Sequence, residues 1–211
     1  MKHGTRFLAT AAALAVLSGC GGDGGGGHSD PVIFVAFYDD FSGDFPDPNW
    51  NIMEGDPFTS FDEGNGAPSL ILQPIGDPIL VRSDFEFSSG QAMTLAFEVA
   101  TFVEEASSQF SFLVVTASGG FIDASFDYFP FDAELVLAIE DSEVVLDFPS
   151  STVFDVIEFT VDDHGVATWW INGDAVLSRS GFPVDLYEIE IETFGDDFTF
   201  LAVDNVLLTR P

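Results

Sequence analysis

Apolar and polar residues alternate along much of the chain, which is the pattern of β-strands that bury one face. The alternation is clearest over residues 154–209, where successive side chains must face opposite sides of a sheet. The residues expected to face the core there are Ile157, Phe159, Val161, Ala167, Trp169 and Ile171. Glu158 and Trp170 then fall on the opposite face.

Turn residues separate these runs. Asn172-Gly173 predicts a two-residue hairpin turn, because both central positions of that turn need positive φ, and Asp163-His164-Gly165 predicts a second turn. Further strands are expected over residues 34–37, 69–73, 79–87, 93–103, 109–116, 121–129, 134–140 and 143–148. No stretch has convincing helical periodicity. The pattern therefore predicts an all-β, two-sheet antiparallel sandwich that forms one domain over residues 32–211.

The first residues have a different character. Lys2 and Arg6 precede a short apolar run over residues 7–17, which is too short to cross a bilayer. Leu17-Ser18-Gly19-Cys20 follows and resembles the lipobox of bacterial lipoprotein signal peptides. That resemblance implies a signal peptide over residues 1–19 and acylation of Cys20. The alternative is an ordinary secretory signal followed by an incidental cysteine.

Residues 20–31 are rich in glycine and predict a flexible tether. Several acyl chains on Cys20 would hold the protein firmly on a membrane. In such lipoproteins an Asp after the Cys favours retention at the inner membrane, whereas here Gly21 occupies that place. If the host is Gram-negative, the lipobox resemblance therefore implies the outer membrane.

The chain is strongly acidic, with 36 Asp and Glu against five Lys and Arg and a formal net charge of −31. Such a charge repels phosphate backbones and anionic lipid surfaces, so it excludes nucleic acid as a partner and leaves the lipid anchor as the only membrane contact. Two interpretations of the acids stay open. They form a solvated surface, or some of them converge on Ca²⁺, which binds several carboxylate and carbonyl oxygens.

Two short motifs lie at the ends of the predicted domain. Asp39-Asp40-Phe41-Ser42-Gly43 followed by Asn49-Trp50, together with Ala202-Val203-Asp204-Asn205-Val206, resembles the concanavalin A-like lectin/glucanase superfamily. The resemblance implies a jelly roll whose opening strand lies beside its closing strand. It also implies one structural Ca²⁺ on the convex side, held by Asp40 and Asp204. The alternative is that both are ordinary strand-end acids.

The same resemblance implies a glycan site on the concave sheet, where aromatic rings stack on sugars and carboxylates bind hydroxyls. The carbohydrate-binding residues expected from the sequence are Trp170, Glu158, Glu188, Glu190 and Glu192. The alternative is that Trp170 packs under a loop and that the glutamates form a solvated sheet face.

Glu188-Ile189-Glu190-Ile191-Glu192 also resembles the Glu-x-Asp-x-Glu strand of family 16 glucanases, in which the outer acids perform hydrolysis. Two departures count against catalysis: Glu190 replaces the Asp, and the triplet lies near the end of the chain. The sequence thus favours a membrane-anchored, non-catalytic glycan-binding module. A structural or adhesion module that binds proteins is the alternative, and a glycoside hydrolase is the least favoured reading.

Overall fold

The computed structural model describes residues 33–42, 45–46, 49–61, 68–73, 77–88, 92–102, 109–116, 122–149, 151–183, 185–195 and 200–211. The expected signal peptide, Cys20 and the glycine tether lie outside these residues. Every regular element in the described part of the chain is a β-strand. No helix in that part is long and apolar enough to cross a bilayer.

Sixteen strands make up the described structure. They are β1 (Phe34–Asp39), β2 (Trp50–Glu54), β3 (Phe58–Phe61), β4 (Pro68–Leu72), β5 (Ile79–Ser83), β6 (Phe87–Ser88), β7 (Met93–Phe102), β8 (Gln109–Thr116), β9 (Ile122–Phe129), β10 (Glu134–Ile139), β11 (Ser142–Asp147), β12 (Ser151–Val161), β13 (Val166–Ile171), β14 (Asp174–Ser180), β15 (Leu186–Phe194) and β16 (Phe200–Arg210).

These strands form two sheets, and the pairings between the described strands are antiparallel. The first sheet has the order β14-β13-β12-β7-β16-β4-β3, with β1 paired to β16. The second has the order β11-β10-β9-β8-β15-β5-β2, with β6 paired to β15. The predicted two-sheet antiparallel sandwich is confirmed. So is the expected pairing of the opening and closing strands, since Asp39 of β1 lies opposite Val206 of β16.

The core lies between the two sheets and is rich in aromatic side chains. Phe97 of β7 stacks on Phe112 of β8 with ring centroids 3.8 Å apart, which brings the middle of one sheet onto the middle of the other. Trp169 of β13 is fully buried, and its Nε1 donates a hydrogen bond of 2.8 Å to the carbonyl of Ala138 on β10. At the same edge of the sandwich Arg179 pairs with Glu140 at 2.6 Å. Apolar contact and polar contact therefore both join the sheets.

The predicted faces of β12 and β13 are confirmed. Ile157, Phe159, Val161, Ala167 and Trp169 are buried, and Ile171 packs against the core. The Asn172-Gly173 turn is confirmed as well, with φ of 52° and 85°. Positive φ at both positions is the geometry that a two-residue hairpin needs.

The structure differs from the sequence prediction in the first half of the chain. The single strand expected over residues 79–87 is two strands, β5 and β6. Ser83 explains the break, because its Oγ accepts a hydrogen bond from the backbone nitrogen of Ile189 and donates to the carbonyl of Phe85. These two side-chain hydrogen bonds take the place of the backbone hydrogen bonds between strands where the chain leaves the sheet. The strands β2 and β3 were not predicted, since polar and turn residues obscure their short alternation.

Candidate functional site

The five residues expected to bind carbohydrate lie on different sheets. Glu158 on β12 and Trp170 on β13 face each other across strands of the first sheet. The three glutamates lie on β15, in the second sheet. All five side chains point away from the core, so the two groups occupy opposite sides of the sandwich. A single glycan face cannot contain them all.

The glutamates of β15 are at the centre of the second sheet, between β5 and β8. Glu190 is only 7% exposed although it points away from the core. Arg82 of β5 covers it, because this guanidinium donates from Nε at 2.8 Å and also from Nη2 to Glu190 Oε2. The same Nε lies 3.4 Å from Glu188 Oε1. One arginine therefore neutralises two of the three acids.

Glu192 has a different environment. Its carboxyl is hydrogen-bonded to Glu190 and lies close to Asp127, while Arg82 acts on it only as the smallest of the influences. Burial, then the hydrogen bond and the charge of Glu190, raise the pKa of Glu192 from 4.5 to about 7. A negative charge this close disfavours the ionised form of a carboxyl group. Near neutral pH Glu192 can therefore donate a hydrogen bond as well as accept one.

Asp127 on β9 completes this group and was missed by sequence reasoning. Its Oδ1 accepts a hydrogen bond of 2.5 Å from Ser111 Oγ, and its Oδ2 accepts one of 2.7 Å from Ser125 Oγ. Register places it beside the glutamates, since Glu192 lies opposite Ser111 and Ser111 lies opposite Asp127. In the sequence, Asp127 is only an acid at an outward position of an alternating strand. It can be assigned to this group only when β8 and β15 are known to be neighbours.

We call this group the β15 patch. It consists of Arg82, Ser111, Ser125, Asp127, Glu188, Glu190 and Glu192. Ser111, Ser125 and Glu190 are all buried although they point outward, and each is hydrogen-bonded to a neighbouring side chain of the patch. Buried polar groups that are held by fixed partners keep their orientation, so the patch presents a set of donors and acceptors in defined positions.

Aromatic residues lie at one end of the β15 patch. Phe194 follows Glu192 by two residues on β15 and is 46% exposed. Phe129 follows Asp127 by two residues on β9 and is half-buried. Gln109 of β8 lies opposite Phe194, and its Nε2 is 3.3 Å from Ser111 Oγ. Because β8 separates β15 from β9, this end presents two phenyl rings with an amide between them.

Trp170 has its own environment on the first sheet. Its Nε1 donates a hydrogen bond of 2.9 Å to Thr160 Oγ1, and the ring is half-buried. Glu158 is half-buried beside it. The indole donor is therefore already used by the protein, although one part of the ring remains accessible.

The acids expected to hold Ca²⁺ lie near Tyr38. Burial raises the pKa of Tyr38, and the nearby carboxylates of Asp40, Asp204, Glu98 and Asp39 raise it further. Asp204 is 1% exposed, and its Oδ1 accepts a hydrogen bond of 2.8 Å from the nitrogen of Asn205. The charges of four carboxylates thus act on one phenol at the junction of the opening and closing strands. Oxygen donors of this kind fit a hard divalent cation.

A tighter group of possible ligand atoms occurs elsewhere among the described residues. Asp162, Asp163 and His164 bring one ligand atom each within 4.8 Å of one another. All three are exposed and belong to the β12–β13 turn. Asp162 Oδ1 accepts hydrogen bonds from the nitrogens of His164 and Val166, so the geometry of the turn accounts for the grouping.

Comparisons with known proteins agree with this architecture. No protein-family model matches the chain, and no curated protein does either. Among solved structures the chain is similar to the Emp47p carbohydrate recognition domain, with 13% identity, 78% of this chain and 89% of that chain covered, and a TM-score of 0.61. It is also similar to the T. cruzi calreticulin globular domain, with 8% identity, coverages of 83% and 87%, and a TM-score of 0.60.

A third similar structure is the apo form of the Crh5 transglycosylase, with 13% identity, 82% of each chain covered and a TM-score of 0.57. At these identities the likeness concerns the fold. The fold is the concanavalin A-like jelly roll that the motifs at the two ends of the domain predicted.

Proposed function

We propose that the protein is a glycan-binding module and that the β15 patch, with Phe194 and Phe129, is its binding surface. The observation that carries the proposal is the combination of oriented polar groups and accessible aromatic rings on one face of the second sheet. Glu192, Asp127 and Gln109 offer both donors and acceptors for sugar hydroxyls, and the phenyl rings offer apolar surface for the C–H faces of a sugar. The likeness to a carbohydrate recognition domain supports the same reading.

A glycan array followed by titration calorimetry tests this proposal. We expect Phe194→Ala and Asp127→Asn each to weaken binding of the best glycan about tenfold or more, since each removes a principal contact. Trp170→Phe on the opposite sheet and Phe131→Ala, which removes a ring that is 75% exposed in the β9–β10 turn, are the matched controls.

Loss of binding in Trp170→Phe with full binding in Phe194→Ala would move the site to the first sheet and contradict the proposal. Absence of binding to every glycan by the wild-type protein would favour the alternative, a structural or adhesion module that binds proteins. Binding lost only in Phe131→Ala would equally exclude the β15 patch.

Hydrolysis is the second candidate because of Glu192. A carboxyl group with a pKa of about 7 has the protonation behaviour that a general acid needs at neutral pH. Against this, Arg82 holds both Glu188 and Glu190, which leaves neither of them a free carboxylate. Release of reducing ends from an oligosaccharide that the array identifies, abolished by Glu192→Gln, would establish the hydrolase; binding without release would exclude it for that glycan.

We also propose a structural Ca²⁺ near Asp40 and Asp204. The supporting observation is that four carboxylates lie near enough to Tyr38 to raise its pKa, at the junction of β1 and β16, which are distant in sequence. A cation there would supply positive charge between the first and last strands of the described sandwich. Asp40, Asp204 and nearby backbone carbonyls would hold it.

The location of the protein is a further proposal and rests on the sequence of residues 1–31. Acylation of Cys20 would place the sandwich at the outer membrane, with the glycine-rich segment as a tether. Metabolic labelling with a fatty acid and membrane fractionation test this. A Cys20→Ala variant that still takes up label and still sediments with membranes would overturn it.

A further inference from the structure

A groove of about 380 Å³ lies at one end of the first sheet, on residues that neither proposed site uses. It lies where β7 begins and where β12 and β16 end, and its lining includes Ile33, Thr94, Thr160, Thr209, Arg210 and Pro211. A volume of this size lies within the range of small-molecule sites in proteins. The groove is therefore large enough for a monosaccharide.

Arg210 is the cation in this lining. The other arginines of the sandwich are paired, Arg82 with Glu190 and Arg179 with Glu140. Within the described part of the chain Arg210 forms no ion pair, although the net charge is −31. Its Nε is buried and has no hydrogen-bond partner there. A guanidinium without an acidic partner favours an anionic acceptor in the groove.

Three threonines line the groove next to this arginine. Thr160 lies opposite Thr94, and Thr94 lies opposite Thr209, so the three occupy adjacent strands at the usual separation of about 4.8 Å. Thr160 Oγ1 accepts the hydrogen bond from Trp170 Nε1, which leaves its own hydroxyl proton free to point elsewhere. The row offers hydroxyl groups at a spacing that suits the hydroxyls of a pyranose ring.

We propose that this groove binds the carboxylate of an acidic sugar, with Arg210 paired to the carboxylate and the threonines hydrogen-bonded to the ring hydroxyls. The two terminal nitrogens of a guanidinium can donate to the two oxygens of one carboxylate. A phosphate is disfavoured, because a second negative charge would double the repulsion from a chain with a net charge of −31. The site lies on the opposite sheet from the β15 patch and does not depend on it.

Asp162 also lines the groove and gives the proposal a second, opposite test. Its Oδ1 accepts hydrogen bonds of 2.9 Å and 2.8 Å from the nitrogens of His164 and Val166, and these bonds hold the pKa of Asp162 below its usual value. The carboxylate is thus ionised and repels an anion nearby. Asp162→Asn keeps the acceptor oxygen for the turn and removes the charge.

Titration calorimetry with sodium glucuronate, glucose and sodium acetate at physiological ionic strength tests the site. We expect glucuronate to bind at least tenfold more tightly than glucose or acetate, since only glucuronate has both the carboxylate and the ring hydroxyls. Arg210→Gln should weaken glucuronate at least tenfold, Arg210→Lys should weaken it less, and Thr94→Val should weaken it severalfold. Asp162→Asn should strengthen it.

Arg179→Gln is the matched control, since it removes an arginine of β14, at the edge of the first sheet, that is paired with acids. Equal binding of glucose and glucuronate, equal binding of acetate and glucuronate, or no binding of glucuronate would overturn the proposal. If Arg210→Gln fails to fold, Arg210→Lys and Thr94→Val replace it, because both keep nearly the same side-chain size. An affinity for glucuronate that is unchanged in these two variants would also overturn the proposal. Phe194→Ala must leave the affinity for glucuronate unchanged, which separates this site from the β15 patch.

Discussion

Trp50 donates a hydrogen bond of 2.7 Å from its Nε1 to Asp39 Oδ2, and so β2 of the second sheet is joined to β1 of the first. Asp39 Oδ1 also accepts a hydrogen bond of 2.7 Å from the nitrogen of Phe41, and both Asp39 and Trp50 are buried. The first acid of the Asp39-Asp40 motif is therefore structural. It satisfies two buried donors in the segment that opens the sandwich.

Asp39→Ala should lower the free energy of unfolding by about 2–3 kcal/mol, because it leaves two buried donors without an acceptor. Urea unfolding followed by tryptophan fluorescence measures the change. Asp84→Ala is the control. That aspartate also accepts a side-chain hydrogen bond, from Asn51 Nδ2 at 2.9 Å, but the pair is exposed and its loss should cost less than about 0.5 kcal/mol. Equal effects of the two substitutions would contradict the structural role of Asp39.

The raised pKa of Glu192, about 7 against 4.5, predicts how stability depends on pH. Between these values the folded protein binds more protons than the unfolded chain, so the contribution of this group to stability is full below pH 4.5 and is lost as pH rises to 7. Glu192→Gln keeps a hydrogen-bond donor beside Glu190 and should remove this part of the decline. Urea unfolding of wild type and variant at several pH values measures it.

Glu143→Gln, at an exposed position on β11, is the control for the general loss of one negative charge. It should leave the slope of stability against pH close to that of the wild type. If Glu143→Gln and Glu192→Gln reduce the slope of stability against pH to the same degree, the contact of Glu192 with Glu190 is not the cause of that slope.

Ca²⁺ should raise the melting temperature if it binds near Asp204. A ligand that binds only the folded state stabilises it by about 2.7 kcal/mol at 100 times its Kd, and each kcal/mol corresponds to roughly 2–4 °C for a domain of this size. Asp204→Asn should abolish the shift, whereas Asp163→Asn in the exposed turn should retain it. The measurement is a thermal melt with Ca²⁺, with Mg²⁺ and with excess chelator at constant ionic strength. Identical melting temperatures in Ca²⁺ and in chelator would contradict a Ca²⁺ site near Asp204.

Gly55 and Gly173 form a matched pair for backbone geometry, since both have positive φ, 77° and 85°. A Cβ at Gly55 would lie 2.6 Å from the carbonyl oxygen of Pro78, whereas a Cβ at Gly173 would meet nothing within 4 Å. Gly173→Ala should therefore cost only the backbone term of about 1 kcal/mol. Gly55→Ala should cost clearly more, because β2 must also move away from the start of β5. Chemical unfolding of both variants measures which one loses more free energy of unfolding. Equal losses would show that the close contact of the added Cβ with Pro78 is relieved at no cost in stability.

The alternation of residues determined which strands form and which side of each strand is buried. Ile157, Phe159 and Trp169 are core residues in the structure because period-two alternation leaves each strand one apolar face, and Asn172-Gly173 turns the chain because those residues tolerate positive φ. These are local properties, so a single sequence can reveal them. Ser83 shows the limit of this reasoning, since it ends a strand through a hydrogen bond to residue 189.

Tertiary structure decided which outward residues share a surface. The sequence placed Trp170 and Glu192 in one expected site, but strand order puts them on different sheets, while Asp127 joins Glu192 through β8. The raised pKa of Glu192 likewise depends in part on Asp127 and Arg82, which are distant in sequence. Alternation along a strand determines which face of the sheet a side chain occupies, whereas long-range strand pairing determines which side chains lie next to it. A binding site depends on both.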